Sequence, residues 1–160
     1  FARTPLQYGG RDAPPPNEIN LTTLVATRSK PSTRFVAVYE PFAKEPRIAQ
    51  VQNVAQTKDA LVVRVTGPDY VDYLLLRLGD MALAADTLAG PDGTGFRFRN
   101  FGWVRITPKA VHSAGGVERM RLPIPAGYTP AAEVVIAGHT QPAQISGQHF
   151  TWSQQAPSQP

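Results

Sequence analysis

The residues of this chain best suited to chemistry lie in one run, Gly95-Phe-Arg-Phe-Arg-Asn-Phe-Gly-Trp-Val-Arg-Ile106. Period-two alternation sets Phe96 and Phe98 inward and Arg97 and Arg99 outward, and Trp103 and Arg105 share a face on the strand that follows. Arg119 and Arg121 share a face further along, and a meander brings them nearby. A guanidinium offers a planar fork that takes carboxylates, and an aromatic ring stacks on the face of a pyranose. Arginines beside an aromatic platform therefore suit an acidic sugar. Tyr128, in the loop Pro123-Ile-Pro-Ala-Gly-Tyr-Thr-Pro130, and Trp152 are additional platforms. The candidate carbohydrate-binding set is Arg97, Arg99, Trp103, Arg105, Arg119, Arg121 and Tyr128. The competing reading is structural: a solvent-facing sheet side whose arginines cover apolar surface with their stems, and tryptophans that pack in the core.

Other chemistries find little support. Cysteine is absent, which excludes disulfides, zinc–thiolate sites and thiol catalysis. His112, His139 and His149 lack the close spacing of metal ligands, so no metal and no cofactor is expected. Ser113, Ser146 and Ser153 lack a nucleophile elbow. Gly90-Pro-Asp-Gly-Thr-Gly95 lacks the Lys-Ser/Thr and following helix of a phosphate loop and reads as a hairpin turn. Asp69 and Asp72 are three apart, which on a strand sends them to opposite faces. With no RNP-like motif, no basic helix and few lysines, nucleic acid is not an expected partner. Of the 16 basic residues 12 are arginine, and the formal charge is +4, a balance that suits acidic partners or a GC-rich genome equally.

The elements that must position these residues are strands. A chain of 160 residues with 16 Pro, 13 Gly and 42% apolar residues reads as many short strands broken by turns. Candidates are Ile19–Thr27, Thr33–Glu40, Ile48–Ala55, Ala60–Thr66, Tyr70–Leu78 and Met81–Asp86. A second group is Gly95–Asn100, Trp103–Thr107, Ala110–Ser113, Val117–Leu122, Glu133–Ala137, Ala143–Ser146 and His149–Ser153. Turn chemistry separates them at Gln56–Asp59, Gly67–Asp69, Gly79-Asp80, Pro91–Gly93 and Ala114–Gly116. No apolar run is long enough to span a membrane as a helix. Residues 1–18, with Pro14–Pro16, read as a lead-in connector, 19–153 as one β-domain and 154–160 as a flexible tail. The chain begins at Phe1 without Met, which fits a processed protein or a piece of a longer one.

The expected fold is all-β, an antiparallel sandwich of two packed sheets with short turns and little or no helix. Expected core residues are Leu24, Phe35, Ala37, Tyr39, Ile48, Leu61, Val63, Val65, Leu74, Leu76, Phe96, Phe98, Val104, Ile106, Val134 and Ile136.

One further stretch is a corner: Phe35-Val-Ala-Val-Tyr-Glu-Pro-Phe42 runs to a proline that cannot donate to a ladder, then turns over Lys44-Glu-Pro46 and opens a strand at Ile48. With Pro46-Arg-Ile48, Thr22-Thr-Leu-Val25, Asp72-Tyr-Leu-Leu-Leu76 and the Trp-Val-Arg stretch, it resembles the C-terminal β-rich region of heparinase II/III-like polysaccharide lyases, over residues 20–110. The resemblance implies a bacterial parent enzyme that cleaves uronic-acid polysaccharides by β-elimination, pairing an α/α-toroid with a β-sandwich. The family's catalytic Tyr, His and carboxylate-neutralising residues map onto no position of this chain. The expectation is therefore a non-catalytic β-domain that supports or binds an acidic polysaccharide. Its partner would be a toroid catalytic domain or chain, and its location periplasmic or secreted. The alternatives are a free-standing carbohydrate-binding module and a structural or protein-interaction sandwich.

Overall fold

A computed structural model describes residues 2–5, 20–23, 38, 40, 46–78 and 86–154, and among these every regular element is a strand. The chain divides into two compact units, Phe1–Ala37 and Val38–Pro160. In the first, β1 (Ala2–Pro5) and β2 (Asn20–Thr23) pair antiparallel, with Ala2 opposite Thr23.

The second unit is one sheet of ten strands. They are β3 (Gln50–Gln56), β4 (Ala60–Thr66), β5 (Val71–Arg77), β6 (Asp86–Ala89), β7 (Gly95–Ile106), β8 (Val111–Pro123), β9 (Glu133–Ile136), β10 (His139–Pro142), β11 (Gln144–Ser146) and β12 (His149–Ser153). The main path runs β10-β9-β8-β7-β5-β4-β3, with β6 added to β7, β12 to β8 and β11 to β12. Pairing is antiparallel except where β9 lies parallel to Val111–Ser113 of β8. Short turns explain this meander: Thr57 N donates to Ala60 O at 2.8 Å, Gly67 N to Tyr70 O at 3.0 Å and Gly90 N to Thr94 O at 2.8 Å.

The hairpin of β7 and β8 organises the sheet. Toward its turn it is flanked by β5 and β9, and toward its open end by β6 and β12. Four expected strands become two long ones here, and Ala114–Gly116, expected as a turn, lies inside β8. The chain bends there without leaving the ladder. The register slips between Arg99 and Gly102, Asn100 takes φ 58° and Gly115 φ 79°. Asparagine and glycine tolerate that left-handed backbone, so the bend needs no loop.

Bending brings the inner faces of both hairpin halves into one core. Tyr73, Leu75, Val104, Ile106, Val111 and Val134 come from the turn side, and Leu88, Phe96, Phe98, Met120, Leu122, Phe150 and Trp152 from the open side. The Tyr73 and Phe96 rings meet across the fold at 5.3 Å between centroids. A second cluster, Leu61, Val63 and Val65, sits on the other face of β4 with Val38, Ile48, Leu74 and Leu76 packed against it. The expected core residues of β4 and β5 thus belong to this smaller cluster, while the main core takes Ala60, Val62, Val71, Tyr73 and Leu75 from the opposite face. Both faces of these strands are apolar, so alternation cannot say which is the major one. Trp152 is core, as the structural alternative had it.

Glu40 accounts for part of the corner. Its carboxylate accepts from Arg47 N at 2.8 Å and Ile48 N at 3.0 Å, which closes the chain before β3. Leu24, Phe35, Ala37, Tyr39, Pro41, Phe42, the Gly79-Asp80 turn and most of the expected strands Thr33–Glu40 and Met81–Asp86 lie outside the described residues, as do Pro14–Pro16 and residues 155–160.

Candidate functional site

The expected binding residues fall into three places. The first is the outward face of the open half of the hairpin. Register sets Arg97 opposite Arg119 and Gly95 opposite Arg121, so alternation on two paired strands gathers Arg97, Arg99, Arg119 and Arg121 on one side. All four are exposed, and the Arg97 and Arg99 side chains are 53% and 57% accessible. Four like charges on one face repel, and one carboxylate relieves them. Arg97 Nε donates to Glu118 Oε2 at 2.9 Å, and Arg99 Nε donates to Glu118 Oε1. Chiefly the hydrogen bond from Arg99, and then that from Arg97, holds the Glu118 carboxyl below the usual glutamate range despite some burial. Arg119 and Arg121 have no ion pair among the described residues. Hydroxyls border the face, since Thr87 stands opposite Arg97, Thr151 opposite Arg121 and Ser153 opposite Arg119.

The second place is the outward face of the turn half, where Arg105 is fully engaged. Its Nε and Nη2 each donate to Asp72 at 2.7 Å, with Asp72 directly across the strand pair. The guanidinium lies 4.5 Å from the Tyr70 ring centroid and 5.4 Å from that of Trp103. Its carboxylate-binding fork is filled, and both neighbouring rings serve the cation. Arg105 and Trp103 therefore do not join the arginine face. The side chains are 39% and 12% accessible for Arg105 and Asp72, so the pair ranks between a surface and a buried bridge. Asp72→Ala is expected to cost about 2 kcal/mol, because it strips a half-buried cation of two charge-assisted bonds. Urea unfolding measures this, and a loss below about 0.5 kcal/mol would show the pair to be energetically idle.

The third place is Tyr128. It is half-buried in the 124–130 loop, which is tied down by Tyr128 N donating to Pro125 O at 3.0 Å and Thr129 N to Pro108 O at 2.8 Å. It lines a cavity of about 370 Å³ with Pro125, Ile145 and Gln148. Burial first, and the Asp69 charge second, push its phenol up. A ring that walls an apolar hollow on a separate loop forms its own contact point.

Sequence reading also misses a polar group on the inner face. Arg64 shares that face with Val62 and stands across from Tyr73. Its Nη1 donates to Asp92 Oδ2 at 3.0 Å and its Nε to Gln52 Oε1 at 3.1 Å. Burial raises the Tyr73 phenol, with the adjacent guanidinium opposing it. Burial alone would raise Asp92, but hydrogen bonds at Thr94 and the Arg64 charge outweigh it and hold the carboxyl low. Arg64 and Asp92 border cavities of about 350 and 400 Å³. Nearby, His149 Nε2 is buried without a hydrogen-bond partner among the described residues, against the turn at Gly93. Sequence carries no signal for it, because an alternation that sets Leu61, Val63 and Val65 inward places Arg64 outward, where a charge is ordinary. This group pins the 90–94 turn to β4.

The described fold and face define an all-β domain with an exposed arginine surface on a bent hairpin. No protein-family model, no curated protein and no solved structure matches the chain.

Proposed function

We propose that this chain is a non-catalytic β-domain that binds acidic, uronate-bearing polysaccharide through Arg97, Arg99, Arg119 and Arg121. The observation that carries the reading is the exposure of four arginines on one strand pair with, among the described residues, one carboxylate, Glu118, paired to them. Such a surface attracts polyanions from a distance and offers planar forks at contact. Hydroxyls along its border suit sugar hydroxyls. The domain acts as two packed layers of a sandwich, formed by the two halves of the bent sheet. The resemblance over residues 20–110 supports attachment to an α/α-toroid catalytic domain of a bacterial, secreted or periplasmic polysaccharide lyase. Catalysis by β-elimination would reside in that partner.

The test is binding to polygalacturonate at low salt. The variant combining Arg97→Ala, Arg119→Ala and Arg121→Ala is expected to lose about tenfold in affinity, three surface-strength charge contacts. Arg47→Ala, which removes an exposed pair with Asp69, should bind as the parent does. A folded triple variant with parental affinity removes the reading.

A protein-interaction role has one observation in its favour. Phe101 is 49% exposed and stands across from Leu76, with Leu78 also exposed beyond it. Binding of polygalacturonate that is insensitive to the arginines, together with self-association lost in Phe101→Ser, would favour that role.

A further inference from the structure

Strand β8 carries one residue more than β7 between two consecutive cross-strand pairs. Arg97 stands opposite Arg119 and Phe98 opposite Val117, which leaves Glu118 unpaired in the ladder. A bulge re-aims the side chain of its extra residue. Here that side chain accepts from both neighbouring guanidiniums, through Arg97 Nε at 2.9 Å and Arg99 Nε. The bulge is itself pinned, because Gln154 N donates to the Glu118 carbonyl at 2.7 Å. With both Nε edges turned to one carboxylate, the terminal amino pair of each arginine is left outward. No described residue hydrogen-bonds to those amino groups, and both side chains are more than half exposed.

We propose that Glu118 is a positioning residue, whose carboxylate clamps Arg97 and Arg99 side by side as two end-on forks for successive carboxylates of a polyuronate. The inference rests on the acidic-glycan reading and adds the ligand class: planar carboxylates in series, not any dense polyanion. Planar forks match planar carboxylates bidentately, whereas general attraction is indifferent to the anion's shape.

Attraction and preorganisation make opposite predictions for the loss of Glu118. Glu118→Ala raises the net charge of the face by one, so attraction alone tightens binding to every polyanion. Loss of the clamp frees two long side chains that must be ordered again on the ligand, which weakens binding. The expected result, by isothermal titration, is polygalacturonate affinity at least about fivefold weaker in Glu118→Ala, the effect of about one lost hydrogen bond. Dextran sulfate, held by charge, should bind unchanged or tighter. Glu118→Gln keeps the shape and one acceptor and should fall between parent and Ala.

Equal or tighter polygalacturonate binding by folded Glu118→Ala overturns the clamp while the glycan reading stands. Equal weakening toward both polymers overturns the carboxylate preference. Should the Ala variant fail to fold, Glu118→Gln decides, and tighter binding by it sinks the clamp. Absence of polygalacturonate binding by the parent chain at low salt removes the glycan reading and the clamp together.

Discussion

Phe98→Ala is expected to lower the unfolding free energy by about 3–5 kcal/mol, the range for deleting a fully buried phenylalanine. Phe98 is 0% exposed, and it belongs to the cluster that receives side chains from both halves of the hairpin. Truncation opens a cavity in the core to which Phe96, Met120 and Trp152 also belong. The strands around it are tied into one hydrogen-bonded sheet and cannot close independently. Since domains are stable by only about 5–15 kcal/mol, the variant should lose a large share of its stability. Guanidinium unfolding with an unchanged m-value would register the loss as a lower midpoint. A change under about 1 kcal/mol would mean that the ring does not sit in a packed interior.

Gly116→Ala comes second, at about 3 kcal/mol, the upper end of overpacking costs. A Cβ on Gly116 would lie 2.2 Å from the Arg99 carbonyl oxygen and 3.1 Å from its carbon. The obstacle is backbone, which has no rotamer to yield, and it belongs to the register slip that bends the sheet. Relief requires β7 and β8 to part at the bend. That would separate the core contributions of the two halves and displace Arg99 from Glu118. Gly95→Ala is the internal control. Its Cβ would meet nothing closer than 3.9 Å, so the change should stay within about 0.5 kcal/mol of the parent. Thermal unfolding of both variants side by side gives the comparison, and equal melting temperatures would refute the tight crossing.

Together these variants ask whether the bend and the core depend on one another. The arginine face stands on the same hairpin, so loss of the bend should also reduce the proposed glycan binding. The Asp72→Ala variant, on the other half, should spare it.

Much of the arrangement was legible along the chain because strand alternation and turn chemistry are local. The repeat Phe96-Arg-Phe-Arg99 orients its own side chains, and the turns after Gln56, Gly67 and Gly90 close through hydrogen bonds within a few residues. That was enough to assign an all-β fold, to sort Arg97 with Arg99, and to sort Arg119 with Arg121. A trace of the bulge was present too. Val117 and Met120 are both buried yet three apart, a slip in the period of two that leaves an extra residue between them.

The rest depends on what lies across the sheet. Arg105 has the same local pattern as Arg97, yet the partner facing it is Asp72, 33 residues away, and its fork is closed. Leu61 and Val62 are equally apolar, and only the packing of other strands decides which one meets the main core. The Asn100 and Gly115 bend, and the seating of Glu118 between two arginines, arise from register between strands. By itself the sequence determined an all-β chain, the turns after Gln56, Gly67 and Gly90 and the shared side of each arginine pair, because these follow from backbone geometry over a few residues. The tertiary structure alone decided which charges are paired and which stand open, because pairing and burial are set by neighbours distant in the chain.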